Sequence, residues 1–337
     1  MNFAMWKKAL TVIPEVSKQE WDGLDVISKW LISTRAAVLV MTFISAALAG
    51  LFAWRAGSFS FVPWIALALG LILAHASNNI FNDYTDYVRG VDKDNYYRTL
   101  YGAQPVADGL MTKRQHLTYF AVTGLVALVF GLYLIWYTGF NPTTWILLGL
   151  GAFFVLFYTW PLKGLAMGEI AVLVVWGPLM IGGGYYVLTG NWDWSVAIAS
   201  LPYVLGVTTV IFGKHIDKIV PDTQKKIHTL PVVIGEKAAR YTVLAMMIVP
   251  YLLTAYLIVT KFFTPIMAIV LFAIPAFLKI YPIFLKPKPQ TPPEGQLGWP
   301  LYFVGYAFYN NRTFGSLFML GLLVDAALRI FMPAFWH

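Results

Sequence analysis

The chain has 337 residues, 59% of them apolar and only 12% charged, with 24 Phe, 19 Tyr and 13 Trp. At a mean hydropathy of +0.67 there is too little polar surface to cover the roughly two soluble domains this length would suggest, which excludes a soluble enzyme and a disordered chain. Cysteine is absent, so disulfides, thiolate metal ligands and a Cys nucleophile are excluded, and the net charge is +8 from 24 Lys and Arg against 16 Asp and Glu.

The stretch from Met1 to Arg35 has no long apolar core and no small-residue cleavage site, so it does not read as a cleaved signal peptide. It reads as an interfacial amphipathic segment, with Trp21, Leu24, Val26, Ile27, Trp30 and Leu31 set against Asp22, Asp25 and Lys29. From residue 36 to the C-terminus, windows of about 20 apolar residues fall at 36–56, 61–81, 117–138, 143–160, 169–190, 194–213, 241–260, 265–285 and 314–333. The expected fold class is therefore all-α, a polytopic membrane protein with nine transmembrane helices in one domain over 36–337. The bases are unevenly placed. Twenty of the 24 lie in the N-terminal segment and in the connections after spans 2, 4, 6 and 8, whereas the opposite connections hold only Arg55 and Lys261. The positive-inside rule then puts the N-terminus in the cytoplasm and the C-terminus outside, in the plasma membrane. The long inner loops make the cytoplasmic face the expected place for chemistry. The Pro-rich 286–300 stretch is an extended connector without a catalytic role.

Two loops on the basic side are also acidic. The first, 82–115, follows span 2, whose end reads Asn78-Asn79-Ile80-Phe81-Asn82-Asp83-Tyr84-Thr85-Asp86 and continues to Arg89, Gly90 and Asp92. If the helix runs through it, Asn79, Asn82, Asp83 and Asp86 share a face, and two carboxylates beside amide oxygens are hard ligands for Mg²⁺. The second loop, 214–240, contains Lys214-His215-Ile216-Asp217-Lys218-Ile219-Val220-Pro221-Asp222. Pro221 is expected to end the helix so that Asp222 folds back. The two loops together hold eight of the sixteen acids and eleven of the 24 bases. Sidedness alone needs only the bases; acids mixed among them suit a bound metal–diphosphate complex.

Asn79-x-x-Asn82-Asp83-x-x-Asp86 followed by Arg89-Gly90-Val91-Asp92 resembles the first Asp-rich motif of the UbiA superfamily of intramembrane prenyltransferases, and is most similar to the 1,4-dihydroxy-2-naphthoate polyprenyltransferase branch of menaquinone biosynthesis. The likeness continues through Arg98, Gln104 and Gly109 to Thr112, Tyr158 to Lys163, Gly168-Glu169 and Trp176 to Tyr186, and through Asp217…Asp222 with Thr229-Leu230-Pro231-Val232. Three departures stand out. The second motif has one residue more than the usual Asp-x-x-x-Asp. Lys214-His215-Ile216-Asp217 replaces the branch's usual Asn-Asn-x-Arg-Asp run, with His228 near a usual Arg. The Tyr158-to-Lys163 segment is short.

The resemblance implies Mg²⁺-dependent transfer of a polyprenyl group from its diphosphate to an aromatic acceptor within the lipid bilayer, without nucleic acid. It implies metal ligation by Asn82, Asp83, Asp86 and Asp92 and, for a second ion, by Asp217 and Asp222. Asp83, Asp86, Asp217 and Asp222 are the expected catalytic set. Arg89, Lys93, Arg98, Lys163 and Lys214 are the candidate diphosphate donors. Asn79, Tyr84, Tyr158, Trp160 and Tyr185 are candidates for the acceptor or for the developing allylic cation, which aromatic faces stabilise. His75 reads as a satisfied interior histidine and His215 as either that or a base. Asp325 is expected to pair with Arg329. Two alternatives stay open: a UbiA-type enzyme acting on hydroxybenzoate, homogentisate, a porphyrin-type alcohol or a glycerol phosphate, and an ion-coupled transporter.

Overall fold

The structure is a computed structural model that describes residues 1–91, 102–294 and 299–332. Three short helices come first: α1 (Phe3–Thr11), α2 (Lys18–Asp22) and α3 (Val26–Ser33). Nine helices long and apolar enough to cross a membrane follow among the described residues. They are α4 (Ala36–Arg55), α5 (Phe61–Val88), α6 (Lys113–Tyr137), α7 (Pro142–Leu162), α8 (Gly168–Thr189), α9 (Trp194–Asp217), α12 (Glu236–Val259), α13 (Pro265–Leu285) and α14 (Phe303–Phe331). The short helices α10 (Ile219–Gln224) and α11 (Leu230–Ile234) stand between α9 and α12. The chain is an integral membrane protein of all-α class. Contacts divide it into two units, Met1–Ala46 with Val62–Pro161, and Ala47–Phe61 with the chain from Leu162 onward.

In the first unit the short helices are defined by their caps. Ser17 and Glu20 form a capping box on α2, Asp25 caps α3, and Thr112 with Gln115 does the same for α6; each cap contributes about 1 kcal/mol. The N-terminal segment was expected to present its apolar face to the interface. Instead Trp21, Leu24, Leu31 and Ile32 are buried with Ala76, Ala103, Leu110 and Met111, while Val26 and Ile27 remain exposed. Protein rather than lipid covers most of that face, because the 102–111 stretch supplies a complementary apolar surface. The spans α6 and α7 do the opposite, with only 22% and 6% of their apolar windows buried. On α6 the exposed residues Val122, Leu125, Val129, Leu132 and Trp136 recur every three or four positions, a stripe suited to acyl chains.

In the second unit α9 is the central helix, with 72% of its apolar window buried, and it packs along α12, α14 and α8. Gly213 permits a close approach of backbone to backbone: a Cβ there would lie 3.0 Å from the Phe303 backbone at the start of α14. Two boundaries differ from expectation. The last span begins at Phe303 rather than near residue 314, because Asn310 and Asn311 face the interior of the unit and are buried; their polarity hides the helix from a hydropathy window. Pro221 does not end a helix but sits in the first turn of α10, where a missing N–H costs nothing, so Asp222 is helical.

Candidate functional site

The apolar length of α5 exceeds a bilayer core, and the helix continues to Val88, carrying the whole first acidic segment on regular backbone. Asn79, Asp83 and Asp86 are therefore one turn apart on a buried face, at 9%, 3% and 3% exposure. Their surroundings are specific. Asn79 Nδ2 donates to the Thr34 carbonyl at 2.9 Å, which fixes α5 against the end of α3. The Asp83 carboxylate pairs with Arg35, whose guanidinium also donates to Gln104 Oε1 at 3.2 Å. Gln104 is held in turn by its backbone N–H on Asp108 Oδ2 at 2.7 Å. Asn82 Oδ1 is sealed from solvent and accepts no hydrogen bond among the described residues. A buried amide oxygen without a donor, beside the Asp83 and Asp86 carboxylates, is the donor set a hard divalent cation takes. The residues present here fit Mg²⁺.

Cations surround the same helix end. The Arg89 guanidinium lies 5.2 Å from the centre of the Trp160 ring, and Lys113 Nζ lies 5.2 Å from that of Tyr87. Tyr84 stacks on Phe81. Trp160 is half exposed and extended, at a break in α7 before Pro161, and Tyr158 is half-buried just ahead of it. Asp92, Lys93 and Arg98 lie outside the described residues. Arg35 and Lys113 were not singled out from the sequence; Arg35 is 48 residues from Asp83, and no spacing rule connects them.

The second acidic segment has a different character. Asp217 closes α9 and points at the start of α14. Its Oδ2 accepts the Tyr302 and Val304 N–H groups at 2.9 and 3.1 Å, and its Oδ1 accepts that of Phe303 at 3.1 Å. Lys288 Nζ lies 3.3 Å from Oδ1. The Lys288 backbone N–H donates to Glu236, which pairs with Arg240 at 3.2 Å, and Arg240 donates to the Phe284 carbonyl. Asp217 therefore caps the last span and ties the ends of α9, α12, α13 and α14. Asp222 is buried with Lys218 Nζ 3.1 Å from its Oδ1. Protein donors thus meet both oxygens of Asp217, and Lys218 meets Oδ1 of Asp222. The connector after residue 286, expected to be merely extended, is anchored through Lys288.

Deeper in this unit, Glu169 at the start of α8 and His215 on α9 are both buried and 2.5 Å apart. The bridge between Leu165 and His228 runs beside them in sequence. Lys163 and Lys214 are half-buried at this end. Tyr185 is not with them: it stands sixteen residues along α8 from Glu169, roughly 24 Å at 1.5 Å per residue, near the helix's far end. Asp325 is also accounted for. Its Oδ1 accepts the Thr264 N–H at 2.6 Å, and Oδ2 lies 3.6 Å from Arg55 and 3.8 Å from Arg329. The expected Arg329 partner is present, and the pair fixes the turn before α13. His75 in the first unit is satisfied by Thr42 Oγ1 at 2.8 Å.

The family model described as the UbiA prenyltransferase family matches residues 43–304. The chain is 25% identical over 230 residues, 64% of its length, to the UbiA prenyltransferase domain-containing protein 1 homolog of Drosophila melanogaster, of which the match spans 59%. It is 29% identical over 225 residues to the 1,4-dihydroxy-2-naphthoate octaprenyltransferase of Escherichia coli K12, covering 63% of this chain and 70% of that one. Among solved structures, a digeranylgeranylglyceryl phosphate synthase superposes with a TM-score of 0.62 at 16% identity, over 89% of this chain and 98% of that one. A UbiA homologue from Archaeoglobus fulgidus bound to GPP and Mg²⁺ superposes with a TM-score of 0.52 at 14% identity, over 86% and 98%. Those two likenesses concern the fold, whereas the family model covers more than half of the sequence and includes both acidic segments. The chain belongs to the UbiA prenyltransferase family.

Proposed function

We propose that this protein transfers a polyprenyl group from its diphosphate to an aromatic acceptor within the membrane, in the formation of a menaquinone-type quinone. The observation that supports it most is the buried face of α5, where Asn82 Oδ1 has no donor among the described residues and two carboxylates stand beside it. Asn82, Asp83 and Asp86 would hold Mg²⁺, which when bound neutralises charge on the departing diphosphate. Arg35 keeps Asp83 oriented, and Arg89 offers a planar donor to phosphate oxygens. The Mg²⁺ and prenyl diphosphate in the Archaeoglobus homologue favour this use of the segment. The apolar spans suit a long donor tail, each buried CH₂ contributing about 0.8 kcal/mol, so that binding energy remote from the reaction holds C1 in place. The aromatic acceptor is favoured by the 29% identity to the naphthoate enzyme.

A mass-spectrometric screen tests the acceptor. Purified protein in nanodiscs is given Mg²⁺ and one prenyl diphosphate with dihydroxynaphthoate, hydroxybenzoate, homogentisate or glycerol phosphate. The expected product is a prenylated naphthoquinol precursor; exclusive product from glycerol phosphate would overturn the aromatic assignment.

A further inference from the structure

At the end of the second unit away from Asp217, the start of α9, the end of α12 and the end of α4 meet around a cavity of about 330 Å³. Ser195, in the first turn of α9, lies roughly 33 Å along that helix from Asp217 at 1.5 Å per residue, about the thickness of a hydrocarbon core. The cavity is lined by Arg55, Ser195, Tyr256, Lys261 and Phe262 among others, and by no Asp or Glu. Lys261 Nζ and the hydroxyls of Ser195 and Tyr256 have no hydrogen-bond or ionic partner among the described residues. The nearby acids are committed elsewhere. Asp193 caps α9 by accepting the Ser195 N–H at 2.7 Å, and Asp325 accepts the Thr264 N–H at 2.6 Å and faces Arg55 and Arg329. Three cations at this end, Arg55, Lys261 and Arg329, thus stand against two acids, and the unmatched charge is that of exposed Lys261.

The turn carrying Lys261 is held in place. Lys261 has a left-handed backbone, φ 60°, and its carbonyl accepts from Arg329 at 2.7 Å. The Phe262 carbonyl accepts from both Arg55 and Arg329, and the Arg55 guanidinium lies 4.2 Å from the centre of the Phe262 ring. An apolar track leads away from the cavity along α12, where Ile248, Leu252, Tyr256 and Val259 are exposed at intervals of three or four residues. Trp194 is exposed at the start of α9, where an indole suits the membrane–water interface. An ammonium and two hydroxyls without partners suit phosphate oxygens. An apolar track running from them toward the membrane interior suits an acyl chain.

We propose that this cavity binds the phosphate group of an anionic phospholipid in the leaflet opposite Asp217, with an acyl chain along the exposed track of α12. Inorganic phosphate offers the same oxygens without the chain, so the two are compared directly. Native mass spectrometry of the full-length protein, delipidated in detergent and titrated with phosphatidylglycerol or phosphatidylcholine, measures the binding, and excess inorganic phosphate serves as competitor. Wild type is expected to prefer phosphatidylglycerol and to keep it against inorganic phosphate. Lys261→Gln, a change at an exposed side chain, is expected to weaken phosphatidylglycerol binding about fivefold, and Lys261→Arg to restore it. Ser195→Ala with Tyr256→Phe is expected to weaken it without any change of charge. Lys237→Gln, at the other end of α12, is the control for diffuse attraction and is expected to leave binding unchanged. Equal binding of the two lipids, undiminished phosphatidylglycerol binding in Lys261→Gln, or an equal loss in Lys237→Gln would overturn the proposal. Full displacement of the lipid by inorganic phosphate would overturn the lipid assignment.

Discussion

Asp83 and Asp217 show how the same side chain in two acidic segments acquires different work. Asp83 is paired with one guanidinium beside an amide oxygen that lacks a donor, whereas Asp217 is surrounded by donors of its own fold. The difference was not legible in the sequence. Both are aspartates at a span end among bases, and the groups that distinguish them are 48 residues away at Arg35 and 85 to 87 away at Tyr302 to Val304. Removing Asp217 would leave three N–H groups at the start of α14 unsatisfied and Lys288 without its buried partner, a loss of about 3–5 kcal/mol for a broken buried pair. Asp217→Ala should therefore lower the unfolding temperature in detergent markedly, with Asp217→Asn, which keeps an acceptor oxygen, less affected. Equal stability of Asp217→Ala and wild type would show that the cap carries no weight.

At the scale of elements, the nine spans could be read directly, because about twenty consecutive apolar residues have few other uses. The helical continuation of α5 was equally readable from the three- and four-residue spacing of Asn79, Asp83 and Asp86. What escaped was wherever polarity is satisfied inside the protein: the start of α14 at Asn310 and Asn311, and the fate of the N-terminal helices. Those helices have a pH dependence of their own. Burial raises the Asp25 carboxyl, but the N–H groups of Ser28 and Asn2, the Ser28 hydroxyl and the Trp6 indole outweigh it and hold the group well below its ordinary 3.8. A depressed carboxylate contributes stability above its unfolded value and loses it as pH falls through the folded one. The α1–α3 segment should accordingly stay docked at pH 5 and separate only well below pH 4. Trp6 fluorescence reports this; detachment already near pH 5, or no shift of the transition in Asp25→Asn, would contradict it.

For the whole molecule, composition and charge placement say most about sidedness. Twenty of the 24 bases share one side by span count, Arg55 and Lys261 fall in the opposite connections, and Lys279 and Arg329 lie inside spans. Arg55 and Lys261 are used structurally near α13, Arg55 against Asp325 and Phe262, and Lys261 through its carbonyl on Arg329. We propose that the protein sits in the plasma membrane with its N-terminus in the cytoplasm. Because the chain has no cysteine, single-cysteine replacements give an unobstructed reading: Lys7→Cys should react with an impermeant maleimide only in inverted vesicles, and Lys261→Cys only in right-side-out ones. The reverse pattern would invert the topology.

The central claim is that the buried face of α5 works on a prenyl diphosphate through a metal ion. Its most direct test is release of diphosphate from a radiolabelled polyprenyl diphosphate by the protein in nanodiscs, with acceptor present, measured with Mg²⁺ and with EDTA for wild type and Asp86→Ala. The account predicts release that depends on Mg²⁺ and falls by about a hundredfold or more in the variant, at or beyond the upper end of the loss seen when a metal ligand's supporting partner is removed. Full release by Asp86→Ala, or release undiminished by EDTA, would contradict it.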